Sequence, residues 1–220
     1  MHAKNHAQAG MTITELMVAM IVMAIVSSQA FLLYANQHQT YIRQGSVIKI
    51  QQEARLVTEV ILKDARMAGF LVPIYAGISG IDGGPNAPDV LCLSDPSIIA
   101  TAAITNADRR LSGATLGGAL TSGDGNVSLV ASSMDIDGDG DATDDFGIGS
   151  GIIISDGNNH HCARIEGFTG GTPDFDPSTP AGFNIAAGAG RAVPAIIYQI
   201  DATGLIRNSV LLSPNVENLQ

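Results

Sequence analysis

The stretch that decides the fold covers residues 11–34 and reads MTITELMVAMIVMAIVSSQAFLLY. As an α-helix it would span about 36 Å, which is enough to cross a hydrocarbon core of roughly 30 Å. The residues before it, MHAKNHAQAG, are polar and end in Gly10. An ordinary secretory signal is cut after its apolar region, whereas a cut at Gly10 would leave that region on the mature protein. We expect this second kind of cut, with an uncleaved single-pass anchor as the alternative.

A carboxylate, that of Glu15, lies inside the apolar stretch beside Leu16 and near Val18. A charged side chain costs roughly a few kcal/mol in a bilayer, and such residues usually mark function. A plain membrane anchor has no use for it. Glu15 therefore favours a helix that does more than hold the protein in a membrane.

The segment around this carboxylate, GMTITELMVA at residues 10–19, resembles the processing site of type IV prepilins, including the pseudopilins of type II secretion systems. The resemblance implies cleavage after Gly10 by a prepilin peptidase, methylation of the new Met11 amine, and Glu15 as the fifth mature residue. Met11 departs from the usual Phe, although the family tolerates Met there. The resemblance also implies a single-pass precursor in the bacterial inner membrane, which later enters a pilus, the periplasm or the cell surface.

Glu15 needs a partner if the helix is packed in a filament. Cleavage would create a cationic amine on Met11, and a cation in an apolar filament core needs an anion beside it. The resemblance implies that Glu15 supplies this anion between adjacent pilin subunits during assembly. Pairing of Glu15 with its own amine, within reach of one helical turn, remains an open alternative.

The helix is expected to continue through an amphipathic segment, residues 35–69. No proline occurs before Pro73, and Gly69 is placed to cap the helix end. An unbroken helix over residues 11–68 would be roughly 87 Å long, with Gly45 as its weakest point. The apolar residues of the amphipathic part recur at helical spacing: Ile42, Val47, Ile50, Ala54, Val57, Ile61 and Ala65.

The end of this segment, RLVTEVILKDARMAGF at residues 55–70, carries a second resemblance. PilW-like minor pilins, and more loosely the J-type pseudopilins, often leave the helix through an Asp-x-Arg-x-Ala-Gly-aromatic sequence. Segments 89–93, 196–201 and 205–208 are similar to strand segments of that group. The resemblance implies a minor pilin, and the residues that match the helix-exit sequence are Asp64, Arg66, Ala68, Gly69 and Phe70.

The remainder, residues 70–220, differs in composition. After Phe70 there are five Arg and no Lys against seventeen Asp and Glu, an acidic balance that would repel nucleic acid. Short apolar runs broken by turn residues predict strands at 90–93, 98–104, 127–133, 152–155, 162–168, 195–201 and 205–212. One long helix followed by strands predicts an α+β fold with an antiparallel sheet packed on the helix. The predicted organisation is a leader at 1–10, an apolar helix at 11–34, its amphipathic continuation at 35–69, and a β-rich head at 70–220, with loops at 71–89, 105–126 and 169–194.

An acidic run, DIDGDGDATDDF at residues 135–146, resembles the start of an EF-hand loop, with carboxylates at alternate positions and Gly sixth. Phe146 stands at the twelfth position, where the bidentate Glu would be expected. A solvated acidic turn is the alternative. We predict a Ca²⁺ site with Asp135, Asp137, Asp139 and Asp141 as ligands, completed by the Thr143 backbone or by Asp144 or Asp145.

The cysteines and histidines of the head offer little enzyme chemistry. An exported protein can form one bridge, so Cys92 and Cys162 are a candidate disulfide, with buried free thiols as the alternative. His160 and His161 are adjacent and would point to opposite faces of a strand, so we expect surface imidazoles rather than a metal site. No nucleophile elbow, Walker loop or zinc signature occurs, and we predict a chain that is not an enzyme.

Three functions follow in order of preference: a minor pilin, a type II secretion pseudopilin, and a membrane-anchored exported enzyme or binding domain. The expected partners are other pilin subunits, the prepilin peptidase and the inner membrane. Residues 216–220 resemble a segment that in PilW-like proteins enters another strand. This favours a neighbouring subunit, or a separate C-terminal partner, that adds a strand beside the hairpin at 205–212, with a self-shielded edge as the alternative.

Overall fold

The computed structural model describes residues 12–69, 72–73, 75–83, 89–95, 113–136, 140–141 and 145–214. These residues form one long helix followed by eleven strands, which confirms the predicted α+β class. The chain divides into two compact units, Met1–Gln52 and Glu53–Gln220. The first unit is described as helix from Ile13 onward, and the second contains the end of that helix together with the sheet.

The helix, α1, runs from Ile13 to Met67 without interruption, so Gly45 does not break it. Its end is built as the sequence predicts. Gly69 adopts a φ of 85°, which a glycine reaches without the penalty that a Cβ imposes. The Gly69 N–H donates to Ser94 Oγ at 2.7 Å, and the Ala68 N–H donates to the Asp64 carbonyl at 2.9 Å. The helix terminus is therefore held by the sheet.

The strands are short except for two. Their bounds are β1 Ile78–Ile81, β2 Val90–Ser94, β3 Ala114–Thr115, β4 Leu120–Thr121, β5 Gly151–Ser155, β6 His160–Thr169, β7 Thr172–Asp176, β8 Asn184–Ile185, β9 Arg191–Asp201, β10 Gly204–Arg207 and β11 Val210–Ser213. The main sheet has the order β1-β2-β9-β5-β6-β7, and all its pairs are antiparallel. β4 and β8 pair separately.

β9 is the centre of the main sheet, because four strands pair with it. β3 and β2 lie along one edge, while β5 and β10 lie along the other. Pro194 would normally be excluded from a central strand, because it has no N–H to donate. Here it lies between the residues that pair with β3 and those that pair with β2. Its carbonyl still accepts a hydrogen bond from the Asp95 N–H at 3.0 Å. On its other side Pro194 pairs with Ile152 of β5, and on this side it follows the end of the β2–β9 ladder, whose last pair is Ser94 with Ala195.

The two faces of β9 bury different cores, since alternate residues of a strand point to opposite sides. On one face, Ile196, Tyr198 and Ile200 pack with Leu205 and with Val57 of α1. On the other face lie Val193, Ala195 and Ile197, together with Ala76, Cys92, Ile153 and Cys162. The last turns of α1 are thus attached to the sheet through the first of these cores.

Several predicted elements differ from the observed ones. The predicted single strand at 205–212 is a hairpin, β10–β11, which turns at Asn208 and Ser209 with positive φ angles of 46° and 66°. The predicted strand at 127–133 is wrong. That segment has an isolated bridge at Leu129 and a 3-10 turn at Ala131–Ser133. Short strands, β1, β3, β4, β7 and β8, lie in segments expected to be loops. The predicted strand at 98–104 lies outside the described residues.

Candidate assembly site

Glu15 and Thr12 form a reciprocal cap at the start of α1. The Thr12 backbone N–H donates to Glu15 Oε2 at 2.9 Å, and the Thr12 hydroxyl donates to the same oxygen at 3.0 Å. In return, the Glu15 N–H donates to Thr12 Oγ1 at 3.3 Å. This is a capping box, and the Thr-x-x-Glu spacing that signals it is visible in the sequence. The prediction from sequence gave Glu15 an amine as its partner and missed the capping interaction with Thr12.

The two predicted pairings of Glu15, with its own Met11 amine or with that of a neighbouring subunit, stay predictions. Gly10 and Met11, the predicted processing residues, lie outside the described residues. The cap does give Glu15 a defined position, because it holds the carboxylate at the first turn of α1. A carboxylate held there also interacts favourably with the positive end of the helix dipole.

The apolar part of α1 is exposed on every side. Its large apolar side chains, from Ile13 to Tyr34, are between 50 % and 81 % exposed. The helix is long and apolar enough to cross a membrane. A helix that is apolar all round is stable in apolar surroundings, such as a bilayer or a bundle of similar helices. This surface therefore has the chemistry of a membrane anchor and of a helix packed among copies.

At its other end, α1 is joined to the sheet by a buried polar cluster. Tyr198 of β9 donates its hydroxyl to Asp64 Oδ2 at 2.6 Å, and Arg207 of β10 donates Nε–H to the same oxygen at 2.8 Å. Asp64 is 8 % exposed and Tyr198 is fully buried. Asp64 belongs to the predicted helix-exit sequence, but its partners could not be identified from sequence.

Burial and charge perturb the pKa of both partners of Asp64. Burial, together with the hydrogen bond to the Asp64 carboxylate, raises the pKa of Tyr198 far above its usual range. For Arg207, burial acts to lower the pKa, but the hydrogen bonds to Asp64 and Tyr198 outweigh it and raise the pKa. The cluster therefore keeps a neutral phenol and a charged guanidinium on one carboxylate oxygen.

The acidic loop is described only in part. Asp137, Asp139, Thr143 and Asp144 lie outside the described residues, whereas Asp135, Asp141 and Asp145 lie within them. Asp145 is 4 % exposed, and its Oδ2 accepts the Ile136 N–H at 2.5 Å, which draws the two ends of the loop together. The described residues contain no group of three acidic, His or Cys side chains that could hold a metal. The Ca²⁺ site remains a prediction.

Cys92 of β2 and Cys162 of β6 are joined by a disulfide, with 5.9 Å between their Cα atoms. In the hydrogen-bonding order of the sheet, β9 and β5 lie between these strands. Strands separated by two others would be about 14 Å apart in a flat sheet. The sheet is therefore strongly curved, and the bridge closes its concave side.

One histidine was predicted wrongly. His160 is exposed, and its Nδ1 lies 2.8 Å from Ser155 Oγ, but His161 is 2 % exposed. The His161 ring packs against Phe175 and Phe183, and its Nε2 lies 2.9 Å from the Pro177 carbonyl. Burial lowers the pKa of His161, although the contact with Pro177 opposes this. Because successive side chains of β6 point to opposite faces, His161 points into the core and His160 toward solvent.

A groove of about 450 Å³ lies between the end of α1 and the β1–β2 hairpin. Its described walls are mainly apolar, and they include Ile61, Ile81 and Leu91. Two carboxylates, Asp82 and Asp89, also line it, and Asp89 Oδ1 accepts the Gly83 N–H at 3.0 Å. This part of the groove brings together no nucleophile and base.

Residues 5–28 match the prokaryotic N-terminal methylation motif. The matched range contains Gly10, Met11, Thr12 and Glu15 together with the first part of the apolar helix. The match supports a pilin-like or pseudopilin-like structural subunit, and with the apolar helix it is consistent with a membrane-anchored precursor. Neither a curated protein nor a solved structure matches the chain.

Proposed function

We propose that the chain is a minor pilin, a low-abundance structural or priming subunit of a type IV pilus. It is anchored in the inner membrane before assembly and packs through its N-terminal helix afterwards. The observation that carries this proposal is the placement of Glu15. A capped carboxylate stands in the first turn of a helix that is apolar on every side, inside a methylation motif. The resemblance of the helix-exit sequence to PilW-like proteins supports the finer assignment.

In this proposal the prepilin peptidase cuts between Gly10 and Met11, and the new amine is methylated. The cap formed with Thr12 presents the Glu15 carboxylate at the start of the helix. When the helix leaves the membrane for the filament, this carboxylate pairs with the Met11 amine of a neighbouring subunit. The pairing offsets the cost of placing either charge in an apolar core.

The experiment combines the native N-terminus with filament entry. Mass spectrometry of the membrane-extracted protein should find a chain that begins at methylated Met11. Glu15→Val should leave cleavage and membrane insertion intact but reduce the labelling of sheared filaments by immunogold. Thr12→Val is the matched control, because it removes the Thr12 hydroxyl but keeps the carboxylate and its bond from the Thr12 backbone N–H, so filament entry should persist. An intact leader, or normal incorporation of Glu15→Val, would contradict the proposal.

Two other functions predict different results. A type II secretion pseudopilin shares the processing and the helix, but it would label the periplasm rather than surface filaments. A membrane-anchored exported enzyme or binding domain would not depend on Glu15 at all. The same Glu15→Val experiment therefore separates the third function from the first two, and the location of the label separates the first two from each other.

We also propose that a partner strand pairs with β11. Within the described residues β11 pairs only with β10, and Val210 and Leu211 are 63 % and 48 % exposed. An exposed strand edge with apolar side chains favours addition of another strand. Val210→Lys should then reduce binding of a filament partner, whereas Ile148→Lys, which changes an exposed residue outside β11, should not. Equal binding by both variants would contradict this proposal.

A further inference from the structure

The helix passes from its apolar part into a segment that is polar but uncharged. Residues 35–42 read ANQHQTYI, and no Asp, Glu, Lys or Arg occurs between Glu15 and Arg43. A membrane helix that entered water directly would gain little from so long an uncharged polar stretch. The layer of lipid headgroups and carbonyls, which is polar and partly dehydrated, suits such a segment better.

Aromatic residues follow one face of α1 through this transition. Phe31, Tyr34, His38 and Tyr41 are spaced by three, four and three residues, which keeps them on one side of a helix. The Tyr34 and His38 rings are stacked, with 6.2 Å between their centres and 8° between their planes. Phe31, Tyr34 and Tyr41 are 71 %, 67 % and 75 % exposed. We refer to these four residues as the aromatic stripe.

The position of the aromatic stripe matches the dimensions of a bilayer. From Ile13 to Leu33 the helix rises about 31 Å, close to the roughly 30 Å thickness of a hydrocarbon core. Tyr34 follows directly, and Tyr41 lies about 10 Å farther along the helix axis. The polar layer on each side of the core is about 5–8 Å thick. When the apolar part fills the core, the Tyr34 backbone lies at the inner edge of that layer and the Tyr41 backbone just beyond its outer edge; because side chains on a helix point back toward its N-terminus, the Tyr41 ring reaches into the layer.

We propose that Tyr34, His38 and Tyr41 of the aromatic stripe dock in the lipid headgroup layer, with Phe31 just inside the hydrocarbon core, on the side of the membrane opposite the leader, and that they set the depth of the unassembled subunit. This inference rests on the membrane-anchored precursor of the proposed function. Tyrosine suits the layer because its ring is apolar and its hydroxyl is polar. A second copy of the chain is the competing occupant, but the match of length and the continuity with the apolar helix favour lipid.

The chain contains no tryptophan, so a single introduced Trp is a clean probe of depth. The full-length protein is reconstituted at low density in phosphatidylcholine vesicles, with lipids brominated near the headgroup or deep in the acyl chain. Tyr34→Trp and Tyr41→Trp report on the aromatic stripe, Val22→Trp on the bilayer centre, and Ile48→Trp on the region beyond the headgroups. We expect shallow bromines to quench Tyr34→Trp most, and Tyr41→Trp to be shielded from aqueous acrylamide relative to Ile48→Trp.

A second measurement tests whether the tyrosines set the depth. In the Val22→Trp background, Tyr34→Ala/Tyr41→Ala should change the ratio of shallow to deep quenching by at least about 1.5-fold, since the interfacial anchor is lost. Gln37→Ala/Gln44→Ala is the matched control, because it removes two polar side chains at the same level and should leave the ratio unchanged.

The outcomes distinguish a failure of membrane anchoring from a failure of headgroup docking. If deep bromines do not quench Val22→Trp, the membrane-anchored precursor itself is wrong. If Val22→Trp is quenched but Tyr41→Trp is as open to acrylamide as Ile48→Trp, the headgroup docking is wrong. Shielding of Tyr41→Trp that rises with protein density and is insensitive to shallow bromines would assign the aromatic stripe to a second copy. An unchanged ratio in the double alanine variant would overturn the anchoring role.

Discussion

The cluster of Asp64, Tyr198 and Arg207 predicts a large effect from removal of a single oxygen atom. Tyr198→Phe keeps the ring, which is buried against α1, and deletes the hydroxyl that donates to Asp64 at 2.6 Å. A hydrogen bond to a charged acceptor contributes about 1.5–3 kcal/mol to stability. Asp64 keeps its bond from Arg207, so the carboxylate is not left without a donor. We expect Tyr198→Phe to lower the free energy of unfolding by about 1.5–3 kcal/mol.

Asp64→Ala should cost more, because it removes the carboxylate that accepts from both the buried Tyr198 hydroxyl and Arg207, and leaves Arg207 only its longer bond to the Tyr198 hydroxyl at 3.3 Å. Breaking a fully buried ion pair costs about 3–5 kcal/mol. Arg207 is about one third exposed, and water can solvate part of its charge, so we expect about 2–4 kcal/mol. The double variant should lose less than the sum of the single variants, with a coupling of about 1–2 kcal/mol, since both changes remove the same bond.

The assay is urea unfolding of the full-length protein in detergent, followed by circular dichroism of the sheet. Tyr75→Phe is the control for loss of a phenolic hydroxyl, and Glu59→Ala, on the exposed side of α1, is the control for loss of a helix carboxylate. Both should change stability by less than about 0.5 kcal/mol. If Tyr198→Phe is as stable as its control, or if the two changes are additive, the cluster does not couple the helix to the sheet.

Three further changes probe the head. Because burial lowers the pKa of His161, the unfolded state binds the proton more readily, and stability should fall as the pH drops below about 6.5. The melting temperature, measured between pH 8 and pH 5, should fall less in His161→Phe than in the unchanged protein. An equal fall in both would exclude His161 as its source. Reduction of the disulfide, or Cys92→Ala/Cys162→Ala, should lower the stability of the head by about 4 kcal/mol, because the unfolded chain regains the entropy of the closed loop. Labelling of both thiols under denaturing, non-reducing conditions would show that no bridge forms. Calorimetry should detect a chelator-reversible Ca²⁺ site that is lost in Asp137→Ala/Asp139→Ala and kept in Glu166→Ala, whereas no heat at millimolar Ca²⁺ would argue against it.

The elements that could be predicted from sequence are those whose signal is local. An apolar run without proline, followed by residues at helical spacing, predicts α1, and Gly69 predicts where it ends. The strands at 90–93, 152–155 and 195–201 contain compact apolar runs, whereas in 162–168 apolar residues are separated by Arg164 and Glu166. The segment at 127–133 also has closely spaced apolar residues, but within it the structure has only an isolated bridge at Leu129. Val127 is buried by packing in a core, which periodicity cannot distinguish from strand pairing.

The parts that could not be predicted depend on residues far apart in the chain. Asp64 meets Tyr198 and Arg207 across separations of 134 and 143 residues. Nothing near Asp64 indicates which side chains will reach it. His161 was placed on the surface because the sequence does not show which face of β6 is covered. The capping box of Thr12 and Glu15, by contrast, spans one helical turn, and its Thr-x-x-Glu spacing could have been recognised in the sequence.

If the chain is exported as proposed, the position of β9 has a consequence for how the head forms. Strands β1, β2, β3, β5 and β10 are organised around β9, or around a strand that pairs with it, yet β9 begins only at Arg191. Until that segment has crossed the membrane, the β1–β2 hairpin and the β5–β6–β7 meander each have an unpaired edge and an exposed apolar face. Long-range pairing of this kind is slow and open to aggregation. A nascent head is therefore most vulnerable while its central strand is still missing, because its apolar surfaces stay uncovered during that interval.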